Sequence, residues 1–559
     1  MTLDAFLDRW GRGWRGPALA ALVALLAGLP GVFAVPPLDR DESRFAQATA
    51  QMLETRDFVV IRYQDQPRFK KPVGIHWLQA ASVSLVSSPE AREIWAYRLP
   101  SLLGAMLAAA ACAWGAAAFF GPRTGMLAGV LLGATFLLST EAFIAKTDAV
   151  LCGATTLAAA ALGRIYAARD SGGGGRLTRL LLWLGLALAT IVKGPVGPLV
   201  VILAALSLAA WDRRAGWLRD LGWGWGLIVF MAICGPWAGA VTVATDGAFW
   251  TAALAGDLAP KLAGGQETHG GPFGYHTLLA PLLLFPSSLL LPAGLILGWR
   301  GRKEPGVRFA LCWLIPAWLV FEIAPTKLVH YTLPAYGALA WLMAAALRDP
   351  LGRVSRWSGA ALAALTGLLL AGGVGYLTFE YGDPRDGVAA ALAAALLAAA
   401  GVVGGWMLIR RPPVEAAAVA LCLGVLGHGV LAAGLVPRLD PLWLSARAEQ
   451  AMAQARLLPR QGIAPAPVAV AGYAEPSLVF ALGTPTDLGG ADDAARAIAE
   501  DRPAIVEARE EPAFRRALAR AGARAAMVGV LDGLDYSNGD EMRLRIYRPA
   551  GQPPPREVP

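Results

Sequence analysis

The sequence predicts an all-α polytopic membrane protein that carries a small α/β domain at its C-terminal end. Three observations lead there. Of 559 residues, 56% are hydrophobic and only 16% charged, whereas ordinary soluble domains carry about 25% charged residues. Apolar stretches long enough to cross a hydrocarbon core of roughly 30 Å recur from residue 17 onward. After Leu442 the composition changes to that of a soluble domain.

The apolar stretches lie near 17–36, 96–120, 124–143, 148–168, 177–193, 196–211, 221–244, 276–299, 306–324, 329–347, 357–377, 387–409 and 413–436, which makes about 13 transmembrane helices. Between the fifth and sixth, VKGPVGP leaves almost no loop. The first is apolar for 19 residues from Pro17 to Val35, beyond the roughly 7–15 residues of a cleaved signal, and is expected to remain as a span. Abundant Gly and Ala suit helices that pack closely in lipid.

Charge sets the expected orientation. Alternate short loops, counted from the N-terminus, hold 20 basic residues, and the opposite short loops hold 5. The positive-inside rule makes the first set cytoplasmic. The N-terminus is then cytoplasmic, and the loop 38–95 and the C-terminal region face outward. The formal net charge of +8 therefore reports orientation, and no nucleic-acid partner is expected. The five cysteines all sit in apolar stretches without metal-ligand spacing. SGGGG at 171–175 lacks the Gly-Lys-Ser/Thr ending of a phosphate-binding loop and reads as a connector.

These elements divide the chain into a membrane domain at 1–437, a soluble domain at 438–551 and a Pro-rich tail at 552–559, expected to be disordered. WLSARAEQAMAQARLL reads as a helix and PVAVAGY as a buried strand, with further helix and strand alternation through DDAARAIAED, EPAFRRALARAG and MRLRIYRP.

The outward loops carry the candidate chemistry. LDRDESRFAQATAQML begins as a helix whose first acids favour its positive end, with Asp41 and Phe45 one turn apart on one face. Asp148 stands where a span enters the bilayer, two residues after Lys146, and an ionisable residue there is costly unless paired or functional. The chain has seven lysines among its 49 basic residues, and six of the seven (Lys70, Lys71, Lys146, Lys193, Lys261 and Lys327) fall on the predicted outer side against the charge bias. Compact ammonium groups are point-charge partners for phosphate. HGGPFGYH (His269, Tyr275, His276) and APTKLVHYTLP (Lys327, His330, Tyr331) add polar marks at the same level. A zinc site drawn from His76, His269, His276 or His330 lacks a supporting ligand spacing, and no metal is expected.

The stretch DRDESRFAQATAQMLETRDFVV…RFKKPVGIHWLQA resembles the first periplasmic loop of the protein-mannosyltransferase-like membrane glycosyltransferases of the GT-C class. The nearest branch is the bacterial one that includes the 4-amino-4-deoxy-L-arabinose (lipid A) transferases. KLVHYTLP and YAEPSLVFALG match further segments of that family, so the resemblance runs from about residue 38 to 483. It implies the GT-C fold and an inverting hexosyl or pentosyl transfer in the bacterial inner membrane. The donor would be a polyprenyl (undecaprenyl) phosphate-linked sugar, the acceptor lipid A or another envelope glycolipid, and no further cofactor is needed. Protein O-mannosylation, or less readily transport of a lipid-linked sugar, is the alternative.

By position the resemblance makes Asp41 and Asp148 carboxylates of the site and Lys71 and Tyr331 contacts to substrate phosphate. Glu42 joins the candidate catalytic carboxylates as the neighbour of Asp41, and the other outer-side cations Arg68, Lys70, Lys146, Lys261 and Lys327 join the candidate phosphate contacts. Arg44, Phe45, His76, His269 and His330 would line the substrate. The aminoarabinose branch typically has Glu before the Lys-Pro and an aromatic residue two positions earlier, where this chain has Lys70 and Arg68. Two cations oppose a positively charged amino sugar, which points to a neutral or acidic sugar, or to a more anionic acceptor.

Overall fold

The computed structural model describes residues 3–171, 174–258, 270–461 and 467–551. Among these, eight helices are long and apolar enough to cross a membrane: Arg15–Ala34, Ile94–Phe120, Asp148–Ala167, Trp223–Ala244, Pro305–Ile323, Arg353–Tyr381, Pro384–Arg410 and Pro413–Arg438. Tyr275–Leu283 and Ser287–Arg300 are long and apolar enough only together, and they meet at 112°, the geometry of a broken span or a re-entrant loop.

All thirteen expected stretches are helical over most of their length, yet four are not long, straight, weakly charged spans. Pro122–Gly133 is interrupted at Thr135, which is extended, and the chain resumes as a helix only over Phe136–Glu141. Arg176–Lys193 carries three cations and Val196–Asp212 has 17 residues. The stretch 329–347 is a tight turn, Leu333–Ala335, leading into Tyr336–Ala346. Hydropathy counts apolar residues in a window and does not sense such breaks. VKGPVGP resolves as a sharp reversal at Gly194, whose φ of 64° with ψ of −136° only glycine adopts at low cost.

Close packing positions the site. At Gly153 a Cβ would come within 2.4 Å of the Gly104 carbonyl oxygen. Helices Ile94–Phe120 and Asp148–Ala167 thus touch backbone to backbone, in the small-residue mode of lipid-embedded helices. Helix Asp148–Ala167 has its acid at one end and its arginine at the other: Asp148 opens it and Arg164 lies in the last turn. Among the arginines of the first loop set, Arg308 pairs with Asp212 and Arg348 with Glu304.

At the other end, two helices of the first loop, Asp41–Thr55 and Gly74–Val86, flank a short hairpin of β1 (Arg62–Tyr63) and β2 (Gln66–Pro67). Against them sits a five-stranded mixed sheet made of β3 (Ala469–Ala471), β4 (Asp487–Gly489), β5 (Ala504–Glu507), β6 (Ala525–Asp535) and β7 (Asp540–Pro549), in the order β4-β3-β5-β7-β6. Alternation along the strands sorts the side chains to two faces. Val470 and Ile505 pack with helices Leu444–Gln454 and Pro476–Leu482. Ala469, Ala471 and Val506 pack with Ala491–Ala499 and Glu511–Ala521. The expected α/β alternation is present, with MRLRIYRP in β7 and with its hairpin partner β6 as the largest unforeseen element. The tail 552–559 lies outside the described residues.

Candidate functional site

The site is built on the segment that joins the broken third stretch to helix Asp148–Ala167. Three elements grip its backbone. Ser101 donates to the Ile144 carbonyl at 2.7 Å, Gln79 donates to the Ala145 carbonyl at 3.1 Å, and the Ala145 N–H donates to Glu42 at 2.7 Å. Gln79 belongs to a chain in which His76 Nδ1 meets the Thr49 hydroxyl at 2.8 Å and Thr49 donates to Gln79 at 2.7 Å. Burial, then Arg68, pulls His76 down to about 3, so it works as a neutral spacer between the two loop helices.

Glu42 is enclosed. Arg98 donates to both of its oxygens at 2.8 Å, and the Leu38 N–H adds a bond at 2.8 Å. Arg98 is itself fully buried and also binds the carbonyls of Val35 and Pro36 at the end of the first span, at 2.6 and 3.0 Å. With its oxygens taken up by this pairing and by Ala145, Glu42 anchors the loop to the bundle. Asp41, one residue earlier, is exposed and lies within electrostatic reach of Lys146.

Around Lys146 five ionisable groups converge from three parts of the chain, residues 141–148, Lys193 and His330. Asp148 pairs with Lys193 at 2.5 Å and with Lys146 at 3.7 Å. Lys146 also meets Glu141 at 3.0 Å and His330 Nδ1 at 3.4 Å, while His330 Nε2 faces Asp148 at 3.5 Å. Burial alone would depress Lys146, but Glu141 and Asp148 outweigh it and hold the ammonium charged. Lys193 stands 5.5 Å over the Tyr331 ring, a cation–π contact. Two carboxylates and two ammonium groups balance. Buried ion pairs are weak contributors to stability, so a cluster of this kind points to function.

The remaining candidates distribute as follows. Arg68 lies over the Phe45 ring at 5.1 Å, and Phe45 packs on His76 at 5.5 Å. Lys70 is exposed and Lys71 half-buried in the turn that follows β2. Arg44 and Arg68 both act on Tyr63, which puts them on one side of the hairpin. Lys327 donates to the carbonyls of Glu322 and Ala324 at 2.6 and 2.8 Å and so caps Pro305–Ile323, outside the cluster. His276 bonds the Leu328 carbonyl at 3.0 Å and neighbours Glu322, again apart from it. Lys261 and His269 lie outside the described residues.

Sequence reasoning missed Glu141, Arg98, Ser101 and Gln79. For the first two a signal existed, because each is an ionisable residue inside an apolar stretch. Glu141, Asp148 and His330 also bring ligand atoms within 4.8 Å of one another, as a metal ion would need.

A second junction joins the loop to the sheet. The Asp39 N–H donates to the Tyr536 hydroxyl at 2.6 Å, and Ser477 donates to the Asp39 carboxylate. Burial, then Glu475 and Asp535, push Asp39 up to about 8. Nearby, Thr484 bonds Gln47 at 2.7 Å and Glu54 at 2.6 Å, and Glu54 pairs with Arg92.

With this geometry in view, residues 70–239 match the family described as dolichyl-phosphate-mannose-protein mannosyltransferase. The chain is 30% identical over 366 residues to an undecaprenyl phosphate-alpha-4-amino-4-deoxy-L-arabinose arabinosyl transferase of Pectobacterium carotovorum, an alignment that covers 62% of this chain and 63% of that protein. A namesake from Pseudomonas paraeruginosa is 29% identical over 329 residues, covering 57% and 58%. The chain thus spans less than two thirds of the length of these relatives. Among solved structures, ArnT from Cupriavidus metallidurans bound to undecaprenyl phosphate superimposes with a TM-score of 0.76 at 20% identity, covering 96% of this chain and 99% of that one. The fold is the GT-C fold of that enzyme, and the sequence is similar to the aminoarabinose transferases, as the motifs at 38–483 led one to expect.

Proposed function

We propose that this chain is an integral-membrane glycosyltransferase. In this reading it moves a sugar, best read as a pentose, from a polyprenyl-phosphate donor to a glycolipid acceptor such as lipid A. The observation that carries the reading is the Asp148–Lys193–Lys146 cluster, with Asp41 of the first loop within electrostatic reach of Lys146. The acceptor oxygen attacks the anomeric carbon, the bond from that carbon to the phosphate oxygen breaks, and polyprenyl phosphate leaves with the electron pair.

Asp41 orients the acceptor, or takes its proton if it is a hydroxyl. Lys71 and Lys70 meet the phosphate, with Arg68, Phe45 and Arg44 lining the approach. Lys146, Lys193 and Tyr331 form the floor, where charge develops on the leaving group in a water-poor setting. Glu42 holds the loop in register and acts through position alone. The family model is named for protein mannosyltransferases, but the longer matches are to enzymes named as undecaprenyl phosphate-linked aminoarabinose transferases, which favours a polyprenyl-linked pentose as the donor.

The reading sets the enzyme in the bacterial inner membrane, with the N-terminus cytoplasmic and with the site and the domain at 438–551 periplasmic. Cysteine-accessibility labelling at Lys70 and Arg302 tests that orientation. The decisive test of activity is mass spectrometry of envelope lipids from cells with and without the protein, paired with purified protein and defined undecaprenyl-phosphate sugars. Loss of one sugar mass from an envelope glycolipid is expected. Unchanged lipids together with no transfer from any donor would overturn the proposal.

A further inference from the structure

Two carboxylates and an imidazole that converge on one point are a familiar cage for a divalent cation. Glu141, Asp148 and His330 make such a convergence, with ligand atoms within 4.8 Å of one another. The interior of this cage is taken by the chain itself. Lys146 Nζ lies 3.0 Å from Glu141 Oε1, 3.4 Å from His330 Nδ1 and 3.7 Å from Asp148 Oδ2, while Lys193 covers the other Asp148 oxygen at 2.5 Å. The second oxygen of Glu141 is buried and has no hydrogen-bond partner among the described residues, so the cage retains an open ligand.

We propose that the Lys146 ammonium occupies the cation position of this cage, so that the site works with a tethered cation where a divalent ion would otherwise sit. An ammonium is a compact charge with three donors, and here it reaches Glu141 and His330 at hydrogen-bond distance and Asp148 as an ion pair. A guanidinium is a flat fork suited to one carboxylate. This explains a lysine here in a chain whose 49 basic residues include only seven lysines. It also sets the histidine: Nδ1 accepts from Lys146, and Nε2–H points at Asp148. A second cation in the same place would meet an ammonium in a dry environment, and like charges there repel strongly. In the transferase reading, on which only this consequence rests, the charge facing the donor phosphate is permanent and does not depend on metal supply.

The test uses the full-length protein in lipid nanodiscs, with Co2+ as the probe because its visible absorption reports binding and ligand geometry. Lys146→Ala should take up one Co2+ per chain and gain thermal stability from it. The wild type should bind at least about 100-fold more weakly, as expected when a like charge occupies the site. Lys146→Ala/Glu141→Gln should lose the Co2+ site again. Lys146→Ser is a second variant of smaller perturbation, and recovery of folded protein only when Co2+ is supplied also supports the proposal. Equal Co2+ affinity in wild type and variant would overturn it, as would failure of both single variants to show ion binding or ion-dependent folding. Wild-type transfer is expected to be indifferent to EDTA. Absence of any transfer alongside Co2+ uptake by Lys146→Ala would sink the transferase reading while leaving the cage intact.

Discussion

Replacing Glu42 by Gln separates an anchoring carboxylate from a catalytic one. Its two oxygens serve Arg98 twice, the Leu38 N–H and the Ala145 N–H. An amide supplies one oxygen and turns an NH2 group toward donors, and it leaves the guanidinium of Arg98, which is 0% exposed, without its counter-charge. Breaking a buried pair from one side costs about 3–5 kcal/mol, with about 1–3 kcal/mol for any backbone N–H left unpaired. The two terms overlap and do not add. Glu42→Gln should therefore lower the thermal unfolding midpoint in detergent and lower transfer only in step with the loss of folded protein. Removing both charges, as Glu42→Met with Arg98→Met, should recover most of that stability, because the double replacement strands neither charge. A Glu42→Gln protein with the wild-type midpoint and transfer reduced more than about 100-fold would refute the reasoning, since that pattern belongs to a general acid or base.

Three further outcomes are expected. Asp41→Asn should leave the unfolding midpoint near that of the wild type, because Asp41 is exposed. It should abolish transfer to a hydroxyl acceptor but only reduce transfer to a phosphate acceptor, as read by single-turnover assay with each. The junction of loop and sheet should loosen as pH rises. Asp39 keeps its proton in the folded chain up to about 8, against an ordinary 3.8. The folded state therefore binds more protons than the unfolded one between those values, and stability falls across that window as pH increases. Hydrogen exchange near Ser477 should quicken from pH 5 to pH 8, and Asp39→Asn should flatten that dependence. Lys70→Glu should raise kcat/KM for an aminopentose donor over a neutral one by roughly 5-fold, the worth of about 1 kcal/mol for an exposed charge pair. An unchanged ratio would remove Lys70 from donor selection.

Architecture was readable in the sequence because hydropathy is a local property. Each of the thirteen apolar stretches announces its helix, and the change after Leu442 announces the sheet. Asp41, Asp148 and Lys146 were also visible, since charge beside lipid stands out against its neighbours. Lys327 was expected with Lys146 among the phosphate-binding lysines because both stand at the same predicted outer level. Its side chain turns back onto the carbonyls that close its helix. Glu42 and Asp41 are adjacent and chemically alike, yet one is buried against Arg98 and the other faces outward, a difference set by which face of the loop helix meets the bundle.

By itself the sequence determined a many-spanned membrane protein with a long polar loop after its first span and a terminal α/β sheet. Only the tertiary structure decided which charges meet. Lys146 and His330 are 184 residues apart, and Glu42 and Ala145 are 103 apart. Their contacts depend on the approach of Gly104 to Gly153 and on the break at Thr135, neither of which a hydropathy window registers. Partnership across such separations is settled by backbone packing, and in a low-dielectric interior that packing decides whether a carboxylate is an anchor, a cage wall or a free reactive group.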